Sequence, residues 1–327
     1  MSTDTPFDAS SPAPADATPW TGRDDGPGAE HRRWHHVATG SGGAGQSGGP
    51  RVGIVGFASD EGVRRNAGRQ GAAAAPPLLR TALAGMAAHR PFTLTDHGDV
   101  GYEGQDLESG HDAVGRAIAT SLDGDELTLV LGGGHETAWG CYLGRAGSER
   151  LGGEAMGRTA VINLDAHFDL RQAERPSSGT PFLQMARAES AAGRELDYTV
   201  IGIAEPSNTA VLFETARELG VTWLTDVDAT EEPALALVDE ILARVDHVHL
   251  EIDLDVLPAD IAPGVSAPAA VGVPVRTISA VVRHLAASGK LRIVDVAEYN
   301  PRYDVDSRTA KVAARLVTDI VHALPAD

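Results

Sequence analysis

Short continuous apolar runs alternate with amphipathic stretches rich in Ala and Leu along most of the chain. The apolar runs predict strands that are buried on both faces, at 51–57, 126–131, 159–164, 198–203, 221–224, 247–253 and 291–297. The amphipathic stretches predict helices at 75–89, 110–122, 182–193, 207–220, 233–245, 277–289 and 307–324. This alternation predicts an α/β domain of three layers, with helices on both faces of a mainly parallel sheet.

The first fifty residues differ in composition from the rest. Residues 1–17 are rich in Ser, Thr, Asp, Pro and Ala and are predicted to be a disordered N-terminal tail. Residues 18–50 form a predicted N-terminal arm and Gly-rich linker, in which Trp20, Arg23 and Trp34 would dock on the body. The catalytic domain is predicted to span 51–327.

Composition narrows the class of protein. The 46 acidic residues exceed the 27 basic ones and give a net charge of −19, which argues against nucleic acid or an anionic membrane as a partner. Cys141 is the only cysteine, so we predict neither a disulfide framework nor a thiolate cluster, and we interpret it as a packing residue. With no apolar run of about 18 residues, we expect a soluble, cytoplasmic protein.

Two short bursts of acidic residues and histidine carry the main chemical signal. They are Asp165-Ala-His167-Phe-Asp169 and Glu251-Ile-Asp253-Leu-Asp255, and each follows an apolar run. If the chain is extended there, alternate side chains project to one side, so each burst would present its polar groups together. Either burst alone could be a solvated turn, but their joint occurrence at strand ends indicates a metal site, because so many clustered carboxylates would otherwise repel one another.

Two further strands end in polar residues of the same kind. His135 follows the turn Gly132-Gly-Gly134, and Glu298 follows the run 291–297. In parallel sheets such residues collect at the carboxyl ends of the strands, so one cluster is expected. Two imidazoles and four carboxylates without thiolate favour Mn²⁺, and two ions sharing carboxylates would make a bridging water a hydroxide.

The chain resembles the ureohydrolase (arginase/agmatinase) family from about residue 51 to the C-terminus. The motifs that match are Gly133-Gly-His135-Glu136, the two bursts, Ala262-Pro-Gly-Val-Ser-Ala-Pro268 and Glu298-Tyr-Asn-Pro301. Further variants resemble the formimidoylglutamase branch, namely Trp20-Thr-Gly-Arg23-Asp24, Gly62-Val-Arg-Arg-Asn-Ala-Gly-Arg69, Gly134, Leu170-Arg171 and Ser207-Asn208-Thr209. The resemblance implies an arginase-like fold.

The resemblance also implies a ligand set and a reaction. One Mn²⁺ would be held by His135, Asp165, Asp169 and Asp253, and the other by Asp165, His167, Asp253 and Asp255. Asp169 would also bond the bridging hydroxide, and Glu298 would hold the amidine-type nitrogens of the substrate. The implied activity is hydrolysis of N-formimidoyl-L-glutamate to L-glutamate and formamide in histidine degradation, by a homo-oligomer that is trimeric or hexameric.

The sequence departs from arginases and agmatinases at one position. Ser178 stands where those enzymes carry a His that is proposed to move protons, so the group that protonates the leaving amine stays open. Arg171 is the best candidate to clamp a substrate carboxylate. Arg64 and Arg69 are weaker candidates, for which a subunit contact or a salt bridge is an equal alternative, and Asn208 could add a neutral hydrogen bond.

Two other functions compete with this prediction. A guanidino acid or agmatine amidinohydrolase of the same family would keep the metal site, although a basic substrate tail would favour acidic partners over Arg171. A catalytically silent, metabolite-binding relative would have no reason to retain all six predicted ligands.

Overall fold

The computed structural model describes residues 19–40, 48–153 and 157–326. Within these ranges nine strands form one sheet in the order β1-β3-β2-β4-β9-β8-β5-β6-β7, and every pair is parallel. The strands are β1 Ala38–Gly40, β2 Arg51–Phe57, β3 Thr93–Val100, β4 Leu127–Leu131, β5 Thr159–Leu164, β6 Asp197–Ile203, β7 Thr222–Thr225, β8 His247–Asp253 and β9 Leu291–Ala297. The predicted parallel α/β class is therefore confirmed.

Helices cover both faces of the sheet and form two rows. Among the described residues they are α1 Glu61–Arg65, α2 Ala75–Ala84, α3 Leu107–Gly124, α4 Thr137–Gly147, α5 Pro181–Ala191, α6 Ala210–Glu218, α7 Glu231–Leu242, α8 Val275–Ala287 and α9 Arg308–Ala323. Helices α2, α9, α8 and α7 pack side by side in one row, and α3, α4 and α5 in the other. The central strands β4 and β8 are buried almost throughout, as expected for a sheet covered on both faces.

The structure corrects several predicted bounds. Strand β3 was not predicted, because its sequence Thr-Leu-Thr-Asp-His-Gly-Asp-Val lacks a continuous apolar run, yet it pairs with both β1 and β2. Helix α2 ends at Ala84 rather than at His89.

Helix α6 begins at Ala210 with Thr209 as the N-cap residue, so the predicted cap by Ser207 or Asn208 is wrong. Ser207 instead ends a short 3-10 helix.

The N-terminal arm lies against α2 and β3. The indole Nε1 of Trp20 donates a hydrogen bond of 2.6 Å to Asp96 Oδ2, which also pairs with the buried Arg80. Trp34 is fully buried and packs against Phe92. The predicted tail 1–17 and most of the Gly-rich linker, residues 41–47, lie outside the described residues. Nowhere in the described ranges does a helix have the length and apolar content needed to cross a membrane.

Candidate metal centre

Four neighbouring strands in the middle of the sheet supply the candidate centre. The strands lie in the order β4, β9, β8, β5. His135 follows β4, Glu298 follows β9, Asp253 ends β8 and Asp165 follows β5. Because parallel strands end at the same edge, all four polar residues lie at the carboxyl edge of the sheet, as the sequence predicted.

Three carboxylates face the ring of His135. Its Nδ1 lies 3.2 Å from Asp165 Oδ2, 3.0 Å from Asp169 Oδ2 and 3.2 Å from Asp253 Oδ2. The imidazole is almost completely buried, and among the described residues neither ring nitrogen makes a hydrogen bond of ordinary geometry. One nitrogen is thus surrounded by three oxygens at distances that would fit a shared cation between them.

The second imidazole repeats this arrangement beside the first. His167 Nδ1 lies 3.1 Å from Asp255 Oδ2 and 3.4 Å from Asp165 Oδ1. Asp165 therefore turns one oxygen toward each imidazole, which is the geometry of a bridging carboxylate. The side chains of His167 and Asp169 are 22% and 12% exposed and are the most accessible of the six, so the centre opens to solvent on their side.

The two bursts reach the centre through turns and not through extended chain. Asp165 Oδ1 accepts a hydrogen bond of 2.7 Å from the His167 N–H, and Asp253 Oδ1 accepts one of 2.8 Å from the Asp255 N–H. Residues 254–256 form a 3-10 helix. The predicted residues do converge, but the alternation of an extended strand does not orient them. The Asp165 and Asp253 side chains each bond the backbone N–H two residues further on, and this turn directs the following side chains.

Two residues of the site have left-handed backbone conformations. Asp169 has φ +47° and Glu298 has φ +66°. Such angles are rare for residues other than glycine and cost of order 1–3 kcal/mol. The Glu298 N–H donates to Gly133 O at 2.8 Å, while Glu298 Oε1 accepts from the His135 N–H at 2.9 Å. This reciprocal pair holds the end of β9 against the turn after β4.

Burial and the charges of neighbouring side chains shift the pKa values of the candidate ligands in the metal-free protein. Burial opposes the charged form of His135, but the three facing carboxylates hold its pKa well above the usual range. Burial likewise opposes a charged His167, and Asp255 and Asp165 raise its pKa. Burial and the neighbouring carboxylates raise the pKa of Asp253. In the metal-free protein the facing carboxylates thus favour the protonated form of both imidazoles.

Glu298 lies close to a second buried carboxyl group, Glu136. Burial, followed by the nearby Glu136, raises the pKa of Glu298 to about 8. Glu136 Oε1 accepts hydrogen bonds from Ser59 Oγ at 2.6 Å and from the Gly62 N–H at 2.9 Å. The remaining oxygens, Oε2 of Glu298 and Oε2 of Glu136, are buried and have no hydrogen-bond partner in the part of the chain that the structure describes.

Gly134 is required beside Glu136 for a steric reason. A Cβ at position 134 would overlap Glu136 Oε2 and Val63 Cγ2. Gly134 is one of the variants noted in the sequence, and the structure explains it, because the Glu136 carboxyl group occupies the space of a side chain at this position.

The donor set fits divalent cations. The buried, unpartnered nitrogens of His135 and the carboxylates that face them need a positive charge between them. Two groups of donors have their ligand atoms within 4.8 Å of one another, namely His135 with Asp165 and Asp253, and Asp165 with His167 and Asp255. Asp169, at 3.0 Å from His135 Nδ1, adds an oxygen to the first group. All six predicted ligands are thus brought together.

The predicted substrate-binding residues lie in different surroundings. Arg171 belongs to the exposed stretch 171–175, and its side chain passes over Gly179, whose carbonyl accepts a hydrogen bond from the Arg171 N–H at 2.9 Å. Ser178 Oγ accepts a hydrogen bond of 3.2 Å from Asn66 Nδ2. Both N–H bonds of the Asn208 amide are donated to Ala166 O and Ala204 O, so Asn208 anchors the first burst.

Arg64 and Arg69 are engaged in protein contacts. Arg64 forms an ion pair of 2.6 Å with Glu61. The Arg69 guanidinium donates to the carbonyls of Ser266 and Val265 and lies over the ring of Tyr303. The Arg64 ion pair matches the salt-bridge alternative weighed for that residue, whereas Arg69 contacts carbonyls and an aromatic ring instead. Contact of either residue with a substrate stays a prediction.

A surface cavity of about 180 Å³ opens beside Arg171. Arg175 and Arg187 also line it, together with Thr180 and Gln184. Arg175 contacts Glu108. Sequence reasoning missed Arg187 because a single exposed Arg within a helix carries no motif, and only the fold brings it beside Arg171.

The fold and the donor set together define a parallel α/β protein with a candidate metal centre at the carboxyl edge of its central strands. The sequence model of the Arginase family matches residues 50–323, and the chain belongs to this family. It is 55% identical over 304 residues to a formimidoylglutamase of Nocardia farcinica, covering 92% of this chain and 95% of that protein. It is 50% identical over 307 residues to a formimidoylglutamase of Rhodococcus opacus, with 93% and 94% covered.

Solved structures share the fold. A formimidoylglutamase from Bacillus subtilis superposes with a TM-score of 0.76 at 23% identity, covering 88% of this chain and 90% of that one. A Trypanosoma cruzi formiminoglutamase with Mn²⁺ superposes with a TM-score of 0.75 at 24% identity, covering 84% and 94%. The predicted arginase-like fold is confirmed.

Proposed function

We propose that the protein hydrolyses N-formimidoyl-L-glutamate to L-glutamate and formamide, a step of histidine degradation. The observation that carries the proposal is the convergence of two imidazoles and four carboxylates at 3.0–3.4 Å, in a chain 55% identical to a protein named formimidoylglutamase. Silent relatives need no such cluster of buried charge, which is costly without a cation.

We infer two Mn²⁺ ions per subunit as the cofactor. Six ligands of imidazole and carboxylate type, without thiolate, suit Mn²⁺ better than Zn²⁺, which takes fewer, or Mg²⁺, which prefers oxygen. Asp165 and Asp253 would bridge the ions, His135 and Asp169 would complete one site, and His167 and Asp255 the other. When bound, such a pair supplies a hydroxide nucleophile near neutral pH and neutralises developing negative charge.

Residues of the chain bind the reacting group and move the proton. Glu298 Oε2 is buried and unpartnered, and it would accept hydrogen bonds from the cationic formimidoyl nitrogens. Burial, followed by Asp165, raises the pKa of Asp169, which suits a group that accepts a proton from the attacking water and returns it. A C–O bond forms at the formimidoyl carbon, the C–N bond to glutamate breaks, and the proton ends on the glutamate nitrogen.

Recognition of the two substrate carboxylates is assigned to the arginines of the cavity beside Arg171. Arg171 and Arg187 line one cavity, and each guanidinium can bind a carboxylate through two hydrogen bonds. Arg171 is the residue we assign first. Ser178, held by Asn66, is assigned to orient the substrate. Asn208, Arg64 and Arg69 stay as predicted contacts with less support, because their polar groups are already bonded within the protein.

The decisive assay runs N-formimidoyl-L-glutamate, arginine, agmatine and guanidinobutyrate side by side on Mn²⁺-loaded protein, with formamide and urea detected separately. Formamide from the first substrate alone would support the proposal. Urea from a guanidino compound would leave the fold and the metal centre but refute the substrate. No product from any of the four would indicate a binding protein.

Arg171→Ala tests how the substrate is recognised. We expect the KM for N-formimidoyl-L-glutamate to rise by at least about tenfold, which corresponds to the 1.4 kcal/mol or more of a lost charged hydrogen bond, with unchanged metal content. Arg116→Ala, at an exposed position of α3, is the matched control. An unchanged KM for Arg171→Ala would remove this residue from the site.

We further propose that the enzyme works in the cytoplasm as a homo-oligomer, trimeric or hexameric, as the family resemblance implies. Light scattering on the purified protein measures the mass and separates the two assemblies from each other and from a monomer of 34.0 kDa.

A further inference from the structure

A second cluster of ligand-type side chains lies under helix α4, away from the opening of the metal centre. Cys141 extends from α4, His249 and Glu251 from β8, and Asp295 from β9. All four side chains are completely inaccessible to solvent. Glu251 and Asp295 are register partners on neighbouring strands, so their carboxyl groups start side by side.

The ligand atoms of this cluster are close to one another. One atom each of Cys141, His249 and Glu251 lies within 4.8 Å of the other two. His249 Nε2 directly contacts Glu251 Oε1, and Cys141 Sγ lies 3.8 Å from Asp295 Oδ2. Ligand bonds of about 2.0–2.3 Å to a tetrahedral ion place neighbouring ligand atoms about 3.3–3.8 Å apart, so small side-chain movements would complete such a shell.

Cys141 Sγ donates a hydrogen bond to Asp295 Oδ2, but most other polar atoms of the cluster are poorly satisfied among the described residues. Both ring nitrogens of His249, both oxygens of Glu251 and Oδ1 of Asp295 are buried and make no hydrogen bond of ordinary geometry, although His249 Nε2 and Glu251 Oε1 are in contact. The surroundings are apolar, with Val55, Val130 and Ile293 in the same core cluster as Cys141. Buried polar groups in native proteins are nearly always paired, so a cluster of this kind calls for a ligand between its members.

We propose that Cys141, His249, Glu251 and Asp295 form a closed binding site for a zinc-type divalent cation, separate from the centre at Asp165 and Asp253. A thiolate with an imidazole and carboxylates is a donor set typical of Zn²⁺ and Co²⁺, and the thiolate disfavours Mn²⁺ and Mg²⁺. Four protein donors leave no position for water or substrate, which is the property of a structural ion.

Such an ion would tie three elements together. It would join α4 to β8 and β9, and His135 also has a ligand atom within 4.8 Å of Glu251 and Asp295. The site therefore stabilises the base on which the metal centre is built. Because the cluster is closed to solvent, the ion enters during folding, and its binding free energy contributes to the stability of the fold.

Cobalt tests the proposal, since Cys141 is the only thiol in the chain. Any thiolate-to-cobalt charge-transfer absorption must come from this site. The protein is produced or refolded with Co²⁺ alone, the open centre is emptied with a chelator, and absorption and cobalt content are measured. We expect about one retained Co²⁺ per chain and a near-ultraviolet charge-transfer band. If the protein binds cobalt only at the open centre and shows no such band, the proposal is wrong. This test uses the wild-type protein alone.

Variants assign the ligands. Cys141→Ser and His249→Gln should each lose the band and the retained ion. Asp255→Asn, which alters the open centre alone, should keep both. If the two variants keep the retained ion, the ion lies elsewhere and the proposal is wrong. None of these outcomes depends on the substrate, so the result is independent of the proposed hydrolysis.

Discussion

Glu298→Gln should have opposite effects on activity and on stability. The substitution keeps the size of the side chain and the acceptor for the His135 N–H, but it removes a buried carboxyl group that lies close to Glu136. Activity should be lost, because a neutral amide cannot balance the charge of an amidine. The metal-free protein, in contrast, should become more stable.

The pKa of Glu298 gives the magnitude and the pH window. Burial and Glu136 raise this pKa from 4.5 to about 8, so the folded protein favours the protonated form. The associated stability is fully present below pH 4.5 and is lost as the pH rises toward 8, at about 1.4 kcal/mol per pH unit. Gln has no proton to lose, so its advantage over wild type should grow to about 5 kcal/mol above pH 8.

Urea unfolding of metal-free wild type and Glu298→Gln between pH 5 and pH 9 measures this advantage. The urea midpoint of the variant should exceed that of wild type by an amount that grows with pH over roughly this range. Glu214→Gln, at an exposed position of α6, is the control and should track wild type at every pH. A constant difference between Glu298→Gln and wild type would refute the reasoning, because it would mean that Glu298 is already ionised in the metal-free fold.

Three further predictions concern the centre. Asp165→Asn removes the carboxylate that faces both imidazoles, so Mn²⁺ affinity should fall by at least about 100-fold, measured as metal content after dialysis. Mn²⁺ loading at pH 7 should release protons, because the facing carboxylates raise the pKa of His135 and His167, and calorimetry in buffers of different ionisation enthalpy measures this release. Gly134→Ala should destabilise the metal-free fold by about 1–3 kcal/mol in thermal unfolding, because its Cβ would overlap Glu136, whereas Gly124→Ala meets no atom.

Each of these predictions has a result that contradicts it. Full Mn²⁺ content in Asp165→Asn would mean that the carboxylate does not bridge. Uptake of Mn²⁺ without proton release would mean that both imidazoles are neutral in the metal-free protein. Equal melting temperatures for Gly134→Ala and Gly124→Ala would show that the Glu136 carboxyl group moves aside freely.

Much of the fold follows from the sequence because the central strands are buried on both faces. The run that became β4 is almost purely apolar, and β9 is apolar apart from Arg292 and Asp295. Strand β8 alternates polar with apolar residues, so all three patterns indicate strands. The strands at the β1 end of the sheet lack a continuous apolar run. The polar strand β3 is recognisable only through its pairing with β2, which is a contact between distant segments.

The candidate ligands could be predicted for a related reason, since carboxylates and imidazoles at the ends of buried strands are rare without a function. The second cluster could not be predicted. His249 and Glu251 fit the alternation of a buried strand, and Cys141 fits a helix core, so each has an ordinary explanation alone. Only the packing of α4 over β8 and β9 brings their polar atoms together.

Backbone strain falls on the two residues to which the sequence assigned catalytic roles. Of the six candidate metal ligands and Glu298, only Asp169 and Glu298 have positive φ, and neither residue type is glycine. Each conformation costs of order 1–3 kcal/mol, so neighbouring contacts must hold it. Tyr198 Oη donates to Phe168 O at 3.0 Å beside Asp169, and the Gly133 and His135 backbone groups hold Glu298. Because local preference opposes both conformations while the surrounding hydrogen bonds enforce them, the direction of these two side chains is a property that the fold maintains for the chemistry of the site.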